Sequence, residues 1–347
     1  MLKITLDSAS LLYNFDYLST KGDDIWPCVK KDSYGVGLKN ILGILDRFRK
    51  INGVCTDSIN DLSYIREIFS GTVLYFGEIS ETTIKTCKIY GAIPSIYLNE
   101  QIELLGNLFT DVFIELNCGL NRYGSNIDTI GSLIYNLKKS KIRISGIFTH
   151  FSKQNKQDFQ KNLGYYKCIS NLAKRHGISN ISCLSTETSC RYSLFPQNII
   201  RPGIGLYGYF SSSDNQDEKL KNILEISSHI ASIRNILKGE NIGYGSKYLV
   251  DSKSKIAIIP VGYADGIPKI SELIGFVVIC GNKCKILSVS MSCIFVDITN
   301  TEILLSDKVE ILSKNISLYQ WASWCNTIPQ EILSGFCRGK GVSVNII

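Results

Sequence analysis

From Ile25 to Gly208, short apolar runs rich in β-formers alternate with longer stretches whose apolar residues recur every three to four positions. The runs Ile25 to Lys30, Gly53 to Thr56, Thr72 to Gly77, Ile93 to Leu98, Asp111 to Asn117, Ile144 to His150, Ile181 to Thr186 and Ile204 to Tyr207 predict eight strands. Between the first two, Leu38, Ile41, Leu42, Leu45 and Phe48 fall on one helical face. Between the sixth and seventh, Phe159, Leu163, Tyr166, Ile169 and Leu172 do the same. Strands separated by amphipathic helices imply parallel pairing with right-handed crossovers, and eight such units fit a closed (β/α)8 TIM barrel. An open doubly wound sheet would also satisfy the alternation. After Phe210 the polar segment SSSDNQDEKLKN has no periodicity and reads as a domain boundary.

Beyond it the pattern changes. Ile223 to Ile236, Lys255 to Val261, Phe276 to Leu287 and Ile294 to Ile298 are β-rich, with Gly and Asn turns and one helix-like stretch, Leu318 to Trp324. The expected architecture is therefore α/β: a (β/α)8 barrel at residues 10–222 followed by a mostly β C-terminal domain at 223–347. Residues 1–9 are expected to form an N-terminal strand that packs on the β domain.

Composition narrows the class. With 44% hydrophobic and 20% charged residues among 347, the chain reads as a globular protein, without an apolar run approaching the ~18 residues of a membrane span. The start, MLKITLDSAS, has no apolar core of signal-peptide length, so a cytoplasmic location is expected. The net charge of +7 is spread among acidic residues, without the basic blocks of a nucleic-acid surface. The twelve cysteines are irregularly spaced, and the nearest approach to a metal cluster, Cys280, Cys284 and Cys293, contains no CxxC pair. Gly281-Asn282 within it reads more simply as a hairpin turn, and no metal is expected.

The candidate chemistry lies at strand ends. Parallel barrels place their active sites at the C-terminal rim, often with a phosphate held after strands seven and eight. Lys30 closes strand one, Arg122 follows strand five in NCGLNRYG, His150 closes strand six, Thr188 follows strand seven, and Arg201 with Gly203 lies beside strand eight in RPGIGLYG. A lysine amine held partly out of water can lose its proton and form a Schiff base with an aldehyde cofactor. A lysine, a phosphate cradle and a cation to face a pyridine nitrogen together suggest pyridoxal 5'-phosphate. Read singly, each residue has a plainer role: surface ion pairs for the arginines, a core histidine, a helix-capping threonine, a turn glycine.

Five motifs, in order and spanning both domains, resemble the alanine racemase family. VKKDSYGVG is similar to the family's cofactor-lysine motif VKANAYGHG, and RPGIGLYG to RPGIALYG. IGYGSKY, VGYADG and SVSM are similar to its GYG, GYADG and SMD segments. The resemblance implies a homodimer with shared active sites that interconverts L- and D-amino acids, alanine first among them. It implies that Lys30 carries the cofactor and acts as base on one face of the substrate, with Tyr34 near the phosphate. Tyr244, from the partner subunit, would act on the opposite face. A free phenol titrates at about 10, so that role needs positive charge nearby, and His150 matches the histidine bonded to the tyrosine. Arg201 would face the pyridine nitrogen and leave it uncharged, Arg122 would bond the cofactor phenolate, and Thr188, Gly203 and Ile204 would hold the phosphate. Tyr263 and Met291, also from the partner, together with Arg122, would meet the substrate carboxylate.

Several positions depart from the pattern. Glu115 stands where the family commonly carries a lysine, often carbamylated. Leu184 stands where a histidine backs the pyridine-facing arginine, which implies a less firmly held Arg201. Glu187 replaces an asparagine beside the phosphate loop, Ser292 the aspartate of SMD, and Val36 the histidine of YGHG. Cys337 replaces a tyrosine that narrows the pocket, which leaves serine or a broader range of amino acids as rival substrates. Two rival functions would also suit the architecture, a decarboxylase and a non-catalytic cofactor-binding protein. Arg201 with the GYADG context argues against the first, and the retained second domain with Tyr244 against the second.

Overall fold

The computed structural model describes residues 2–151, 156–191, 198–211, 219–244, 248–336 and 343–347. Two compact bodies result: Leu12–Ser33 with Gly37–Leu206, and Met1–Leu11 with Tyr34–Val36 and Tyr207–Ile347. The first strand, β1 (Lys3–Leu6), belongs to the second of these.

The first body is the barrel. Its strands are β2 (Asp24–Ile25), β3 (Gly53–Thr56), β4 (Thr72–Tyr75), β5 (Ile93–Ile96), β6 (Asp111–Glu115), β7 (Arg143–Phe148), β8 (Asn180–Ser182) and β9 (Ile199–Ile200). β3 to β8 form one parallel sheet in sequential order, and β2 pairs in parallel with β9. Hydrogen bonds close the ring at both seams: the Val29 N–H donates to the Cys55 carbonyl at 2.9 Å, and the Asn198 N–H to the Ile181 carbonyl at 3.1 Å.

The eighth strand is not where the sequence pattern puts it. Ile204–Tyr207 is a 3-10 turn, and the strand is Ile199–Ile200. The reason is the ladder: the N–H groups of Asp24, Trp26 and Cys28 donate to the carbonyls of Asn198, Ile200 and Pro202 at 2.7 to 2.8 Å, which uses the segment up to and including Pro202. The seventh strand is likewise shorter than expected, because Thr186 already opens the helix Thr186–Arg191.

An apolar plug of Trp26, Cys28, Cys55, Leu74, Phe76, Phe113, Phe148 and Ile199, with Ile93 against it, fills one level of the barrel. Room for its large rings comes from two glycines: a Cβ on Gly53 would fall 2.4 Å from the Trp26 ring, and one on Gly146 2.2 Å from that of Phe113. Successive strand side chains alternate between faces. Two positions beyond Cys28, Cys55, Phe113, Phe148 and Ile199 come Lys30, Asp57, Glu115, His150 and Arg201. The period of two thus stacks a polar layer on the apolar plug.

Outside, the helix Leu38–Arg49 buries Leu38, Ile41, Leu42 and Leu45 as expected, but Ile44 completes the face and Phe48 stands exposed. In the helix Lys156–His176, Ile169 is buried and Leu163, Tyr166 and Leu172 are half-buried; the Phe159 side chain lies outside the described residues.

The second body is mostly β. Its further strands are β10 (Leu224–His229), β11 (Ser232–Ile236), β12 (Asn241–Ile242), β13 (Tyr248–Leu249), β14 (Ser254–Ile259), β15 (Phe276–Ile279), β16 (Asn282–Val289), β17 (Ile294–Asp297), β18 (Lys308–Leu312) and β19 (Ser343–Ile346). Nine strands form one sheet in the order β11-β14-β17-β16-β15-β18-β10-β1-β19, while β12 and β13 pair separately. The β15–β16 hairpin turns at Cys280 and Gly281, one residue before the expected pair, because Asn282 already pairs with Ile279. The helix Leu318–Trp324 has the predicted bounds; a second, Pro329–Phe336, escaped the sequence pattern. Most of the polar segment after Phe210 and all of Cys337 lie outside the described residues.

Candidate active site

The first barrel strand is shorter than the expected run to Lys30: it ends at Ile25, with one further bridge from Cys28 to Cys55, so Lys30 lies just past it and the chain then makes a left-handed turn. Lys31, Asp32, Ser33 and Tyr34 have φ of 52° to 60°, a conformation that side chains with a Cβ disfavour. Local bonds hold it: the Ser33 N–H donates to the Val29 carbonyl at 3.0 Å, and the Asp32 carboxylate accepts from the Leu38 N–H at 2.6 Å. The Lys30 ammonium lies 5.9 Å from the centre of the Phe76 ring and 3.6 Å from Asp57 Oδ2, with Lys31 3.8 Å from Oδ1 of the same carboxylate. Its side chain is 29% exposed, half sheltered by the plug below it. Nothing in the sequence marked Asp57, since an aspartate after GVCT reads as the approach to a helix.

Arg201 is fixed from three sides. Its guanidinium carbon lies 4.4 Å from the centre of the Phe148 ring, Nε donates to Ser182 Oγ at 2.9 Å, and Nη2 to the Thr149 carbonyl at 2.7 Å. The looser arginine expected from Leu184 is therefore not observed: Ser182 is two positions earlier on the same strand face and supplies the anchor. Arg122 is presented by the loop after β6. Asn117 pins that loop with its side chain, accepting from the N–H groups of Gly119 and Asn121 and donating to Asn121 and Asn126. The Ser125 N–H returns to the Glu115 carbonyl at 2.9 Å. Arg122 Nη2 then lies 3.8 Å from Glu115 Oε1.

Burial pushes the Glu115 carboxyl up to about 7, against the pull of Arg122 and Arg201. His150 keeps an open edge to solvent, but the protein mass around its ring, and then Arg201, Arg122 and Lys30, hold its pKa below the usual imidazole range. The imidazole is neutral near pH 7, so it serves any neighbour as a hydrogen-bonding group and not as a cation.

At the other expected end of the site, Ser185 caps the helix Thr186–Arg191. Its Oγ accepts from the Thr188 N–H at 3.3 Å and shares a hydrogen bond of 2.8 Å with the Thr188 hydroxyl. Thr188 is buried, and Gly203 and Ile204 lead into the 3-10 turn. Gly205 admits no side chain, since a Cβ would fall 2.3 Å from Thr186 Cγ2. The Tyr34 and Tyr207 rings pack tilted at 59°, 5.3 Å between ring centres, within the second body.

The remaining candidates form a cluster on the second body. The Tyr263 and Ala264 N–H groups both donate at 3.0 Å, to the Ser290 and Met291 carbonyls respectively, and Asp265 tightens the turn by accepting from the Gly262 N–H at 2.8 Å. Gly243, just before Tyr244, abuts Ser288 on β16, where a Cβ would fall 2.1 Å from the hydroxyl. Tyr244 is 80% exposed, Met291 60% and Tyr263 47%. Three large side chains thus stand exposed around one strand end.

Comparison with known proteins accounts for both bodies. The family model for the alanine racemase N-terminal domain matches residues 6–211, and that for the alanine racemase C-terminal domain matches 223–340. The chain belongs to the alanine racemase family. Among similar relatives, the alanine racemase of Borreliella burgdorferi is 28% identical over 348 residues, covering 95% of this chain and 93% of its own. That of Clostridium tetani is 29% identical over 283 residues, covering 75% and 72%. Of solved structures, an alanine racemase from Bartonella henselae with covalently bound pyridoxal phosphate superposes with a TM-score of 0.89 at 22% identity, over 100% of this chain and 99% of that one. An alanine racemase of Clostridium difficile 630 gives 0.91 at 22% identity, over 100% and 95%. These likenesses establish the fold, a barrel followed by a β domain.

Proposed function

We propose that this chain is a pyridoxal-phosphate-dependent racemase of alanine, working as a homodimer whose two sites each draw residues from both subunits. The observation that carries the reading is the polar layer on the barrel plug: Lys30, Arg122 and Arg201 meet two carboxylates, each with a buried oxygen, Asp57 Oδ1 and Glu115 Oε2, that lacks a hydrogen-bond partner. Lys30, Arg122 and Arg201, with Lys31 at the edge, thus outnumber the two carboxylates, and burial pushes one of these, Glu115, up to about 7. An aldehyde that is also an anion fits that donor set, with Lys30 as its covalent anchor. Thr188, Gly203, Ile204 and Tyr34 would hold its phosphate, and Arg122 and Arg201 its ring. His150 sits beside them.

When bound, pyridoxal phosphate supplies an electron-withdrawing ring that makes the proton on the substrate Cα acidic. The chain supplies the rest. Lys30 Nζ takes or gives that proton on one face, and Tyr244 Oη of the partner subunit does so on the other, as inversion of a stereocentre requires an acid and a base on opposite sides. Arg201 offers only donors and retains its own proton, so it leaves the ring nitrogen uncharged. Ser182, Thr149 and Phe148 anchor Arg201 and keep that group in place. Arg122, with Tyr263 and Met291 of the partner subunit, would receive the substrate carboxylate.

The exposed cluster of Tyr244, Tyr263 and Met291 supports the dimer, because a second copy of the chain would cover it. None of the described helices is long and apolar enough to cross a membrane. The amino acid handled is decided by measuring L to D exchange with purified protein and pyridoxal phosphate for alanine, serine and larger amino acids. Alanine is expected to give the highest kcat/KM. Exchange with none of them would end the racemase reading.

A further inference from the structure

Tyr244 is 80% exposed, so its own ring does little to fix it within its body, and its place depends on the two residues before it. Ile242 is buried in one cluster with Val250, Ile256 and Leu287. Gly243 follows with a φ of 74°, the left-handed region, and lies against the Ser288 side chain, where a Cβ would fall 2.1 Å from Oγ and 2.6 Å from Cβ. Leu287 and Ser288 are consecutive on β16, yet both support this one segment. A regular strand would send them to opposite faces. Here the ladder slips, with Ile286 paired to Val296 and Ser288 to Phe295, so that Leu287 is the extra residue of a β-bulge.

The bulge is held by an ion pair from outside the ladder. Just after the 3-10 turn Lys269–Ser271, Glu272 Oε1 accepts from the Val289 N–H at 2.7 Å, from Ser288 Oγ at 3.1 Å and from the Lys269 ammonium. Lys269 also donates to the Val289 carbonyl, so one ion pair engages both backbone groups of the residue after Ser288. The Glu272 side chain is only 10% exposed. Burial raises its carboxyl, but the bonds from Lys269, Val289 and Ser288 outweigh burial and hold it below the usual carboxylate range, so it is charged near neutral pH. Three donors on one charged oxygen make a firm support, which a neutral amide would hold less tightly.

We propose that Glu272 is a positioning residue for Tyr244: through Ser288 it fixes the seat of Gly243, and with it the direction in which the phenol leaves the β domain. The inference rests on the proposed role of Tyr244 in proton transfer. Such a step depends on placement, and a shift of about 1 Å can cost roughly a hundredfold in rate. Since Glu272 acts through this seat, its loss should slow the transfer that Tyr244 performs and leave that of Lys30 alone.

The experiment compares wild type, Glu272→Ala, Glu272→Gln and Ser288→Ala as full chains with pyridoxal phosphate. It reads the entry of solvent deuterium at Cα separately from L- and D-alanine. For the enantiomer whose exchange Tyr244→Phe slows, Glu272→Ala should lose roughly tenfold, and Glu272→Gln and Ser288→Ala less, since each keeps part of the link. Exchange of the other enantiomer and cofactor affinity, read by fluorescence quenching, should stay as in wild type. In the cofactor-free protein, amide hydrogen exchange should speed at residues 242–244 and 287–291 of Glu272→Ala and not in the barrel. Mixing subunits adds a spatial check: Glu272→Ala with Lys30→Ala should regain one wild-type site per mixed dimer, and Glu272→Ala with Tyr244→Phe none.

Equal slowing of both enantiomers, or unchanged hydrogen exchange at 242–244, overturns the inference. Should Glu272→Ala fail to fold, the other two variants decide, and wild-type rates from both enantiomers in both of them overturn it. A wild type that exchanges neither enantiomer overturns the functional reading instead, and hydrogen exchange then still tells whether Glu272 seats Gly243.

Discussion

Lys30→Ala is expected to give a folded protein without the visible absorbance of lysine-bound pyridoxal phosphate and with racemase activity reduced at least roughly a thousandfold, since one change removes both the anchor and a base. The fold should survive because the Lys30 side chain contributes only a long-range pair with Asp57 and an edge of contact with Phe76. Removing a partly exposed ion pair shifts stability by at most about 1 kcal/mol. Absorbance and unfolding midpoint, read on one sample, separate the two effects. A variant that keeps the wild-type colour would show that another amine holds the cofactor.

Tyr244→Phe is the second large effect, and it should be one-sided. Deleting one hydroxyl from a side chain that is 80% exposed in the single chain should leave stability within about 0.5 kcal/mol. Proton transfer on the face served by this phenol should slow by roughly a hundredfold to ten-thousandfold, while cofactor affinity changes little. The measurement is the rate at which solvent deuterium enters the substrate Cα, started separately from L- and D-alanine. Equal slowing of exchange and of cofactor binding would assign Tyr244 a packing role.

The barrel was legible in the sequence because its two periods, near 2 and near 3.6, come from backbone geometry that every residue obeys. The cationic candidates were legible for a related reason: charged residues at the ends of apolar runs stand out. Asp57 did not stand out, since its importance lies only in being level with Lys30 across two neighbouring strands. Ser182 was equally silent. A serine in a strand carries no signal until Arg201, nineteen positions later, closes a hydrogen bond on it, and this bond reverses the expectation drawn from Leu184. The eighth strand was misplaced because Ile199-Ile200 and the run from Ile204 are both short and apolar, and only pairing with Trp26 and its neighbours chooses between them. Glu115 was visible as a departure from the family pattern, but its burial and its orphaned oxygen required coordinates.

The central claim is a site completed by a second copy of the chain, and mixing subunits tests it most directly. Lys30→Ala and Tyr244→Phe proteins, each nearly inactive, are combined in equal amounts, allowed to exchange subunits, and assayed for alanine racemisation. If each site takes Lys30 from one subunit and Tyr244 from the other, half of the sites in the mixed dimers regain both groups, and activity should return to roughly a quarter of wild type under random exchange. If activity stays at the level of the separate variants after exchange has been verified, the two residues do not act in a shared site.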